Sequence, residues 1–331
     1  MTLAATYVLP LRWADTSQTE EMTRYLQRLA GEIDQIIVVD GSLSEIFEYH
    51  SGMWAPIVKH MKPDVDLAFK NGKVNGVITG IRAAGHPKVV IADDDIRYEV
   101  AALTRVCGLL DGHELVIAHS FFAPVSWNAL WDTSRILLNR AFAVHFPATM
   151  GIDRELFLRL GGYDGDVLFE NLELIRTMRE GGATVASPLD LFVKHLPPKS
   201  DHFWSQRVRQ AYDEFAIPLR MALWLVLLPA AVGSIAMKRM RGIALALTAT
   251  IFLAEVGRRR AGGTSVYPVS ASALAPVWIT ERAVCAWVAL GHRVRRGGIA
   301  YRDGLISRAA TPKRELRERI VDKLSELRPV R

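Results

Sequence analysis

The chain has 331 residues, half of them apolar, and 41 lysines and arginines against 35 acids, for a formal net charge of +6. That is room for one large domain or two ordinary ones, with enough apolar residues for a sizeable core. The charge is unevenly divided: residues 1–205 carry 19 basic and 26 acidic side chains, a net of −7, and residues 206–331 carry 22 and 9, a net of +13. The basic part also holds the longest apolar runs. That favours an anionic membrane surface over nucleic acid as the partner, and no nucleic-acid motif or base-stacking aromatic pattern is present. Cys107 and Cys285 stand far apart; they indicate no disulfide framework and no zinc site, and they fit a reducing compartment. No charged segment followed by a long apolar run opens the chain, so no cleaved signal peptide is expected and the first domain should stay on the cytoplasmic side.

Residues 4–11 read as a first strand ending near Pro10. Thr16 to Ala30 has helical spacing through Met22, Leu26 and Leu29, stopped by Gly31. Ile36-Ile37-Val38-Val39 is a second buried strand, and it runs into Asp40-Gly41-Ser42. Asn71-Gly72-Lys73 opens a helix to about Ala84. A third strand, Val89-Val90-Ile91-Ala92, then ends in three consecutive carboxylates, Asp93, Asp94 and Asp95. Glu99 to Leu110 reads as helix, Leu115 to Ala118 as strand, and Trp127 to Phe142 as an amphipathic helix. Short strands alternating with helices of about 12 residues are the α/β signature. No G-x-G-x-x-G follows the first strand and no Walker-A sequence is present, which argues against a dinucleotide-binding or P-loop protein.

The aspartate triplet is the centre of the reading. Ligands of open α/β sheets bind beyond the carboxyl ends of the strands. Three anionic side chains there call for a compensating cation, and Mg²⁺ or Mn²⁺ prefers carboxylate oxygens together with substrate phosphates. The plainer alternative is a solvated acidic turn capping the helix that follows. Further on, Val167-Leu168-Phe169-Glu170-Asn171-Leu172-Glu173-Leu174 starts a helix that runs to Glu180 and closes at Gly181-Gly182. Glu170 and Glu173 share a face of it, either as a solvated, ion-paired face or at the edge of a lined pocket. His202 to Tyr212 mixes arginines and aromatics on a helix, read either as interfacial or as a cationic clamp on a diphosphate.

Three apolar stretches follow: 219–237, 242–256 and 274–290, the last interrupted by Glu281-Arg282. The first is just long enough to cross a bilayer, which takes about 20 residues. Basic clusters at 238–241, 258–260 and 293–296 flank them. The expected arrangement is two short membrane helices plus one amphipathic interfacial helix around 274–291. Residues 311–328 read as a charged amphipathic helix with a solvated face.

The order of these motifs resembles the family 2-type glycosyltransferases of GT-A fold. The matching pieces are the strand before Asp40-Gly41-Ser42, Asp93-Asp94-Asp95, Gly161-Gly162-Tyr163-Asp164 with Glu170-Asn171-Leu172-Glu173-Leu174, and Gln206-Arg207-Val208-Arg209. The Asp-Asp-Asp-Ile-Arg wording looks most like the ceramide glucosyltransferase and polysaccharide synthase branch. The resemblance covers residues 4–215 well and the rest loosely. It implies a Rossmann-like, mostly parallel sheet flanked by helices in a catalytic domain at 1–215, membrane-associated helices at 216–295 and a basic tail at 296–331. It further implies that Asp40 binds the nucleotide's base or ribose and that Lys73 lies near the nucleotide. Asp93 and Asp95 would hold the metal and the sugar diphosphate, with Asp94 in the same donor-binding set. Gln206 and Arg209 would cover the diphosphate, and Arg207 would add positive charge there.

Two positions depart from the family pattern. The usual catalytic aspartate is Asn171, whose amide takes no proton near neutral pH, and the tryptophan closing the Gln-x-x-Arg-Trp motif is Gln210. Glu170, one residue away, is the preferred base, with Glu173 the other choice. The implied activity is inverting transfer of a sugar from a nucleotide-diphosphate sugar, taken as a UDP-sugar, to a lipid or membrane-linked hydroxyl, at the cell membrane with the catalytic domain facing the cytoplasm. A membrane-associated nucleotidyltransferase would leave Gln206 and Arg209 unexplained. An inactive glycosyltransferase-like scaffold that binds nucleotide or lipid is the alternative that Asn171 supports.

Overall fold

The computed structural model describes residues 2–144, 147–301 and 304–326. In chain order it begins with β1 (Leu3–Leu11), α1 (Thr19–Ala30), β2 (Ile33–Asp40), α2 (Ser44–Trp54), β3 (Lys59–Met61), α3 (Gly72–Ala83), β4 (Lys88–Ala92) and β5 (Ile96–Arg97). Next come α4 (Val100–Leu109), β6 (Leu115–Ile117), β7 (His119–Phe122), α5 (Trp127–Ala141), β8 (Thr149–Asp153), α6 (Arg154–Arg159), α7 (Glu170–Glu180), β9 (Val185–Ala186) and β10 (Phe192–His195). The remainder is α8 (Ser200–Tyr212), α9 (Pro218–Ala236), α10 (Met240–Arg259), α11 (Val269–Ala273), α12 (Ala275–Arg296), β11 (Ile299–Tyr301), β12 (Gly304–Ile306) and α13 (Lys313–Glu326). The chain forms two units. Of the described residues, those within 1–118, 147–193 and 311–331 make the first, and those within 119–146 and 194–310 make the second.

The first unit is built on a seven-stranded sheet in the order β3-β2-β1-β4-β8-β6-β9. Strands β3, β2, β1 and β4 run parallel, and β8 is antiparallel to both β4 and β6. The central strands are buried on both faces, as an apolar run without polar alternation requires. Side chains of β1 leave alternately to the two faces. Tyr7, Leu9 and Leu11 join Met22, Leu26 and Leu29 of α1 and Leu103 and Val106 of α4. Val8 joins Val74, Val77, Ile78 and Ile81 of α3 and Leu174, Ile175 and Met178 of α7.

Helix α3 sits unusually close to the sheet. A Cβ on Gly80 would stand 2.3 Å from Cγ1 of Val8, and one on Gly76 would stand 2.8 Å from Cβ of Pro10. The bare backbone at these i, i+4 positions lets the helix lie against β1. Sequence order reverses about β1 and β4, so the crevice beyond their carboxyl ends is the topological switch point, where open α/β sheets bind ligands. The aspartate triplet begins one residue beyond β4.

Helix α13 is docked on the first unit, although its sequence reads as a solvated face. Leu316 and Ile320 are buried in the core that α7 lines. Arg317 reaches Glu180 at 2.9 Å and Arg319 reaches Asp164 at 3.0 Å. The last two residues of the expected 311–328 helix lie outside the described residues.

The second unit is helical apart from short strands. Helix α12 packs against α8, α9 and α5, with Met221, Trp224, Trp278 and Ala286 at the centre of the contact. Helices α9 and α10 are long and apolar enough to cross a membrane by length and composition, and both are mostly exposed. Cys107 is buried, Cys285 is half-buried, and both are free thiols.

Candidate active site at the carboxyl edge of the sheet

Helix α3 starts at a defined point because Asn71, its N-cap, accepts the Lys73 backbone N–H through Oδ1 at 3.2 Å. Lys73 therefore stands in the first turn, and its ammonium reaches Asp93 Oδ1 at 2.5 Å and Glu170 Oε1 at 2.7 Å. It also lies 3.4 Å from Oδ1 of Asn171. Three segments meet here: the start of α3, the turn after β4 and the start of α7.

The turn that carries the triplet is held by its own backbone and by Arg97. Ile96 N–H donates to the Asp93 carbonyl at 3.0 Å, and Arg97 Nη1 donates to the carbonyls of Asp94 and Ile96 at 2.7 and 2.8 Å. Arg97 is buried and pairs with Glu21. Asp94 accepts a hydrogen bond from the indole N–H of Trp13. The three aspartates thus have different surroundings: Asp93 on Lys73, Asp94 on Trp13, and Asp95 half-buried beside Asp93.

The electrostatics favour a cation. The Asp93 carboxyl is raised to about 7: burial pushes it up most, Lys73 pulls it down, and the carboxylates of Asp95 and Glu170 add to the rise. Burial of Lys73 is outweighed by Asp93 and Glu170, so its ammonium stays protonated well above the ordinary lysine range. Two carboxylates thus share one ammonium, and Asp95 adds a third negative charge beside Asp93. An all-oxygen set with surplus negative charge suits a hard divalent ion such as Mg²⁺ or Mn²⁺. Glu170 is buried, and its Oε2 has no hydrogen-bond partner among the described residues.

Glu173 is placed elsewhere. It is fully buried, and its Oε2 accepts the Thr311 N–H at 2.8 Å. Burial raises its carboxyl against that hydrogen bond. Arg176, one turn on, donates to the Thr311 carbonyl at 3.4 Å. The shared helical face of Glu170 and Glu173 is divided in use: Glu170 meets Lys73, and Glu173 anchors the segment leading into α13.

Asp40 is also committed within the protein. Its side chain is fully buried, Oδ1 accepts the Ser42 N–H at 2.8 Å, and Oδ2 lies against His50 and His60. Burial is outweighed by the hydrogen bonds from His50, His60 and Ser42, which hold its carboxyl well below the usual range. Nothing in the sequence marks the two histidines. They lie ten residues apart on a helix and a three-residue strand, and no ligand spacing joins them to Asp40 along the chain.

Gln206, Arg207 and Arg209 lie on α8 in the second unit. Arg207 is buried and grips Asp132 with both terminal nitrogens, at 2.8 and 3.0 Å, and Glu281 lies 3.6 Å from it. Its charge is therefore spent inside that unit. The Arg209 guanidinium stacks over the Tyr301 ring at 4.2 Å, and Gln206 donates to Ser205 Oγ at 3.3 Å.

No protein-family model and no curated protein matches the chain. Among solved structures it is similar to a mannosyltransferase from Pyrobaculum calidifontis in complex with GDP-Man and Mn²⁺, at 18% identity and a TM-score of 0.50, covering 88% of each chain. The fold is GT-A-like. Glucosyl-3-phosphoglycerate synthase from Mycobacterium tuberculosis, in complex with Mn²⁺, UDP and phosphoglyceric acid, matches at 19% identity and a TM-score of 0.45, over 63% of this chain and 76% of that one. The GT-A-like sheet here places the triplet at its switch point, with α3 and α7 supplying Lys73 and Glu170.

Proposed function

We propose that the protein is an inverting glycosyltransferase that moves a sugar from a nucleotide-diphosphate sugar to a lipid or membrane-linked hydroxyl. The observation that carries this reading is the convergence of Asp93, Glu170 and Lys73 at the switch point of a GT-A-like sheet. In the reaction, the bond from the anomeric carbon to the diphosphate oxygen breaks, and a bond to the acceptor oxygen forms on the opposite face. The nucleoside diphosphate leaves, and the acceptor's proton goes to a carboxylate. Asp93 and Asp95 are the residues that would hold Mg²⁺ or Mn²⁺, which supplies Lewis-acid neutralisation of the leaving diphosphate.

Glu170 is the proton acceptor in this proposal. Lys73 fixes one of its oxygens at 2.7 Å, and Oε2, which has no hydrogen-bond partner among the described residues, would take the acceptor's proton. General-base action contributes about 10²- to 10⁴-fold. Lys73 also keeps Asp93 and Glu170 together despite their repulsion. Asn171 serves as a neutral neighbour of Lys73 and not as a base.

The lipid acceptor is argued from α9 and α10, 19 and 20 residues long, whose apolar surface is mostly exposed. The basic charge around them favours an anionic leaflet, with the transfer domain on the cytoplasmic side. The test uses the purified full chain with UDP-glucose or GDP-mannose and Mn²⁺, monitoring donor hydrolysis and transfer to a lipid extract. Donor turnover that needs Mn²⁺ and is lost in Asp95→Asn supports the reading; full turnover in Asp95→Asn or in excess chelator overturns the metal assignment. The second reading, a nucleotide- or lipid-binding scaffold, is favoured by Asn171. It predicts a thermal shift with the nucleotide and no turnover of any donor.

A further inference from the structure

Asp40, His50 and His60 form a cluster in which Asp40, expected from the resemblance on the nucleotide, faces two histidines that the transfer reading does not use. They come from the end of β2, from α2 and from β3, and all three side chains are fully buried. Asp40 Oδ2 lies 2.7 Å from Nδ1 of His50 and 3.2 Å from Nε2 of His60. One ligand-type atom from each residue falls within 4.8 Å of the others. Aromatic rings wall the cluster: Trp54 stacks on His50 with centroids 4.2 Å apart, and Phe47 stacks on His60 at 4.4 Å.

Three observations point to an ion. A carboxylate taken wholly out of water needs a compensating charge, and among the described residues the partners of Asp40 are two imidazoles and Ser42 rather than a lysine or arginine. Two of the candidate ligands are oriented by a second partner, as metal-bound residues usually are: Ser42 N–H holds Asp40 Oδ1 at 2.8 Å, and the Thr19 hydroxyl pairs with His50 Nε2 at 3.1 Å. Finally, Nδ1 of His60 is buried with no hydrogen-bond partner among the described residues, so the imidazole's one polar contact among them is the 3.2 Å approach of Nε2 to Asp40.

The elements also need a fastening. Helix α2 buries only His50 and Trp54, and β3 is a three-residue strand at the sheet edge. We propose that Asp40, His50 and His60 bind a zinc-class divalent transition ion that staples α2 and β3 to the end of β2. Two imidazoles and one carboxylate suit such a borderline cation, whereas the all-oxygen set at Asp93 and Asp95 suits a hard one. The two sites therefore differ in metal preference, and this one stands whether or not the chain transfers sugars.

The test is elemental analysis of untagged full-length protein purified without chelator, followed by stripping and reloading with Zn²⁺ or Co²⁺. About one zinc per chain is expected in the wild type and in Asp95→Asn, with none in His60→Gln. Stripping should lower the wild-type Tm by roughly 5 °C, restored by Zn²⁺, because metal binding free energy is folding free energy. Should His60→Gln not fold, the visible absorption of Co²⁺-loaded wild type reports nitrogen and oxygen ligation by itself. Protein that retains no zinc, gives no Co²⁺ spectrum and shows no zinc-dependent Tm overturns the proposal and leaves a hydrogen-bonded network only.

Discussion

Lys73 and Glu170 show how much a single contact changes the reading of a residue. In sequence the resemblance places Lys73 near the nucleotide, and Glu170 is the preferred of two acids on one helical face. Their 2.7 Å contact, with Asp93 at 2.5 Å from the same ammonium, separates Glu170 from Glu173. Glu170→Gln should lower kcat by about 10²-fold or more with little change in donor KM, measured by steady-state kinetics at saturating Mn²⁺. Lys73→Met leaves buried Glu170 and half-buried Asp93 without their ammonium; breaking a fully buried pair costs about 3–5 kcal/mol, and the partial exposure of Asp93 makes the loss here smaller. Its urea midpoint should fall accordingly, and Mn²⁺ should recover more of the loss in the variant than in the wild type. Asp213 gives a pH signature in the second unit. Burial, opposed by Arg209 and Arg282 and reinforced by Glu214, raises its carboxyl to about 7. The folded state thus binds that proton more tightly than the unfolded chain, so the stabilisation is full below the ordinary carboxyl range and is lost as pH rises through about 7. Urea midpoints should fall from about pH 6 to about pH 8 in the wild type and stay flatter in Asp213→Asn.

At the scale of elements, α3 and α13 decide the geometry. Gly80→Ala gains up to about 1 kcal/mol of helix propensity. It also forces a methyl to 2.3 Å from Val8, and overpacking of this kind costs about 1–3 kcal/mol. The net effect should be destabilising, with α3 and Lys73 displaced and donor turnover reduced, as read from denaturation and kinetics together. The short strands and helices of the first unit were legible because their apolar runs have clear periods: β1, β2, β4, α1, α3 and α7 fall within a few residues of their sequence-based bounds. Helix α13 was not legible as a docked element, because a helix rich in lysine, arginine and glutamate looks the same whether its few apolar residues face solvent or a groove. Leu316→Ala should cost about 2–5 kcal/mol, the range for truncating a buried leucine, where a solvated helix would lose almost nothing.

For the whole molecule, the chain leaves the first unit after residue 118 and again after residue 193, and its last described helix returns to it. A basic half carrying two exposed apolar helices predicts attachment to membranes. The full chain should sediment with vesicles rich in anionic lipid and detach only in part at high salt, because charge is screened while apolar insertion is not. Binding that vanished completely in salt would argue for a purely electrostatic contact. The sequence by itself determined the α/β alternation, the carboxylates beyond β4, the apolar helices and the asymmetry of charge, since each is written in contiguous residues through period, run length or composition. Only the tertiary structure decided which acid meets Lys73, that Arg207 is spent on Asp132, and that Asp40 shares a buried box with His50 and His60. Those facts depend on side chains from separate elements arriving at the same point, and no local pattern along a chain encodes such a meeting.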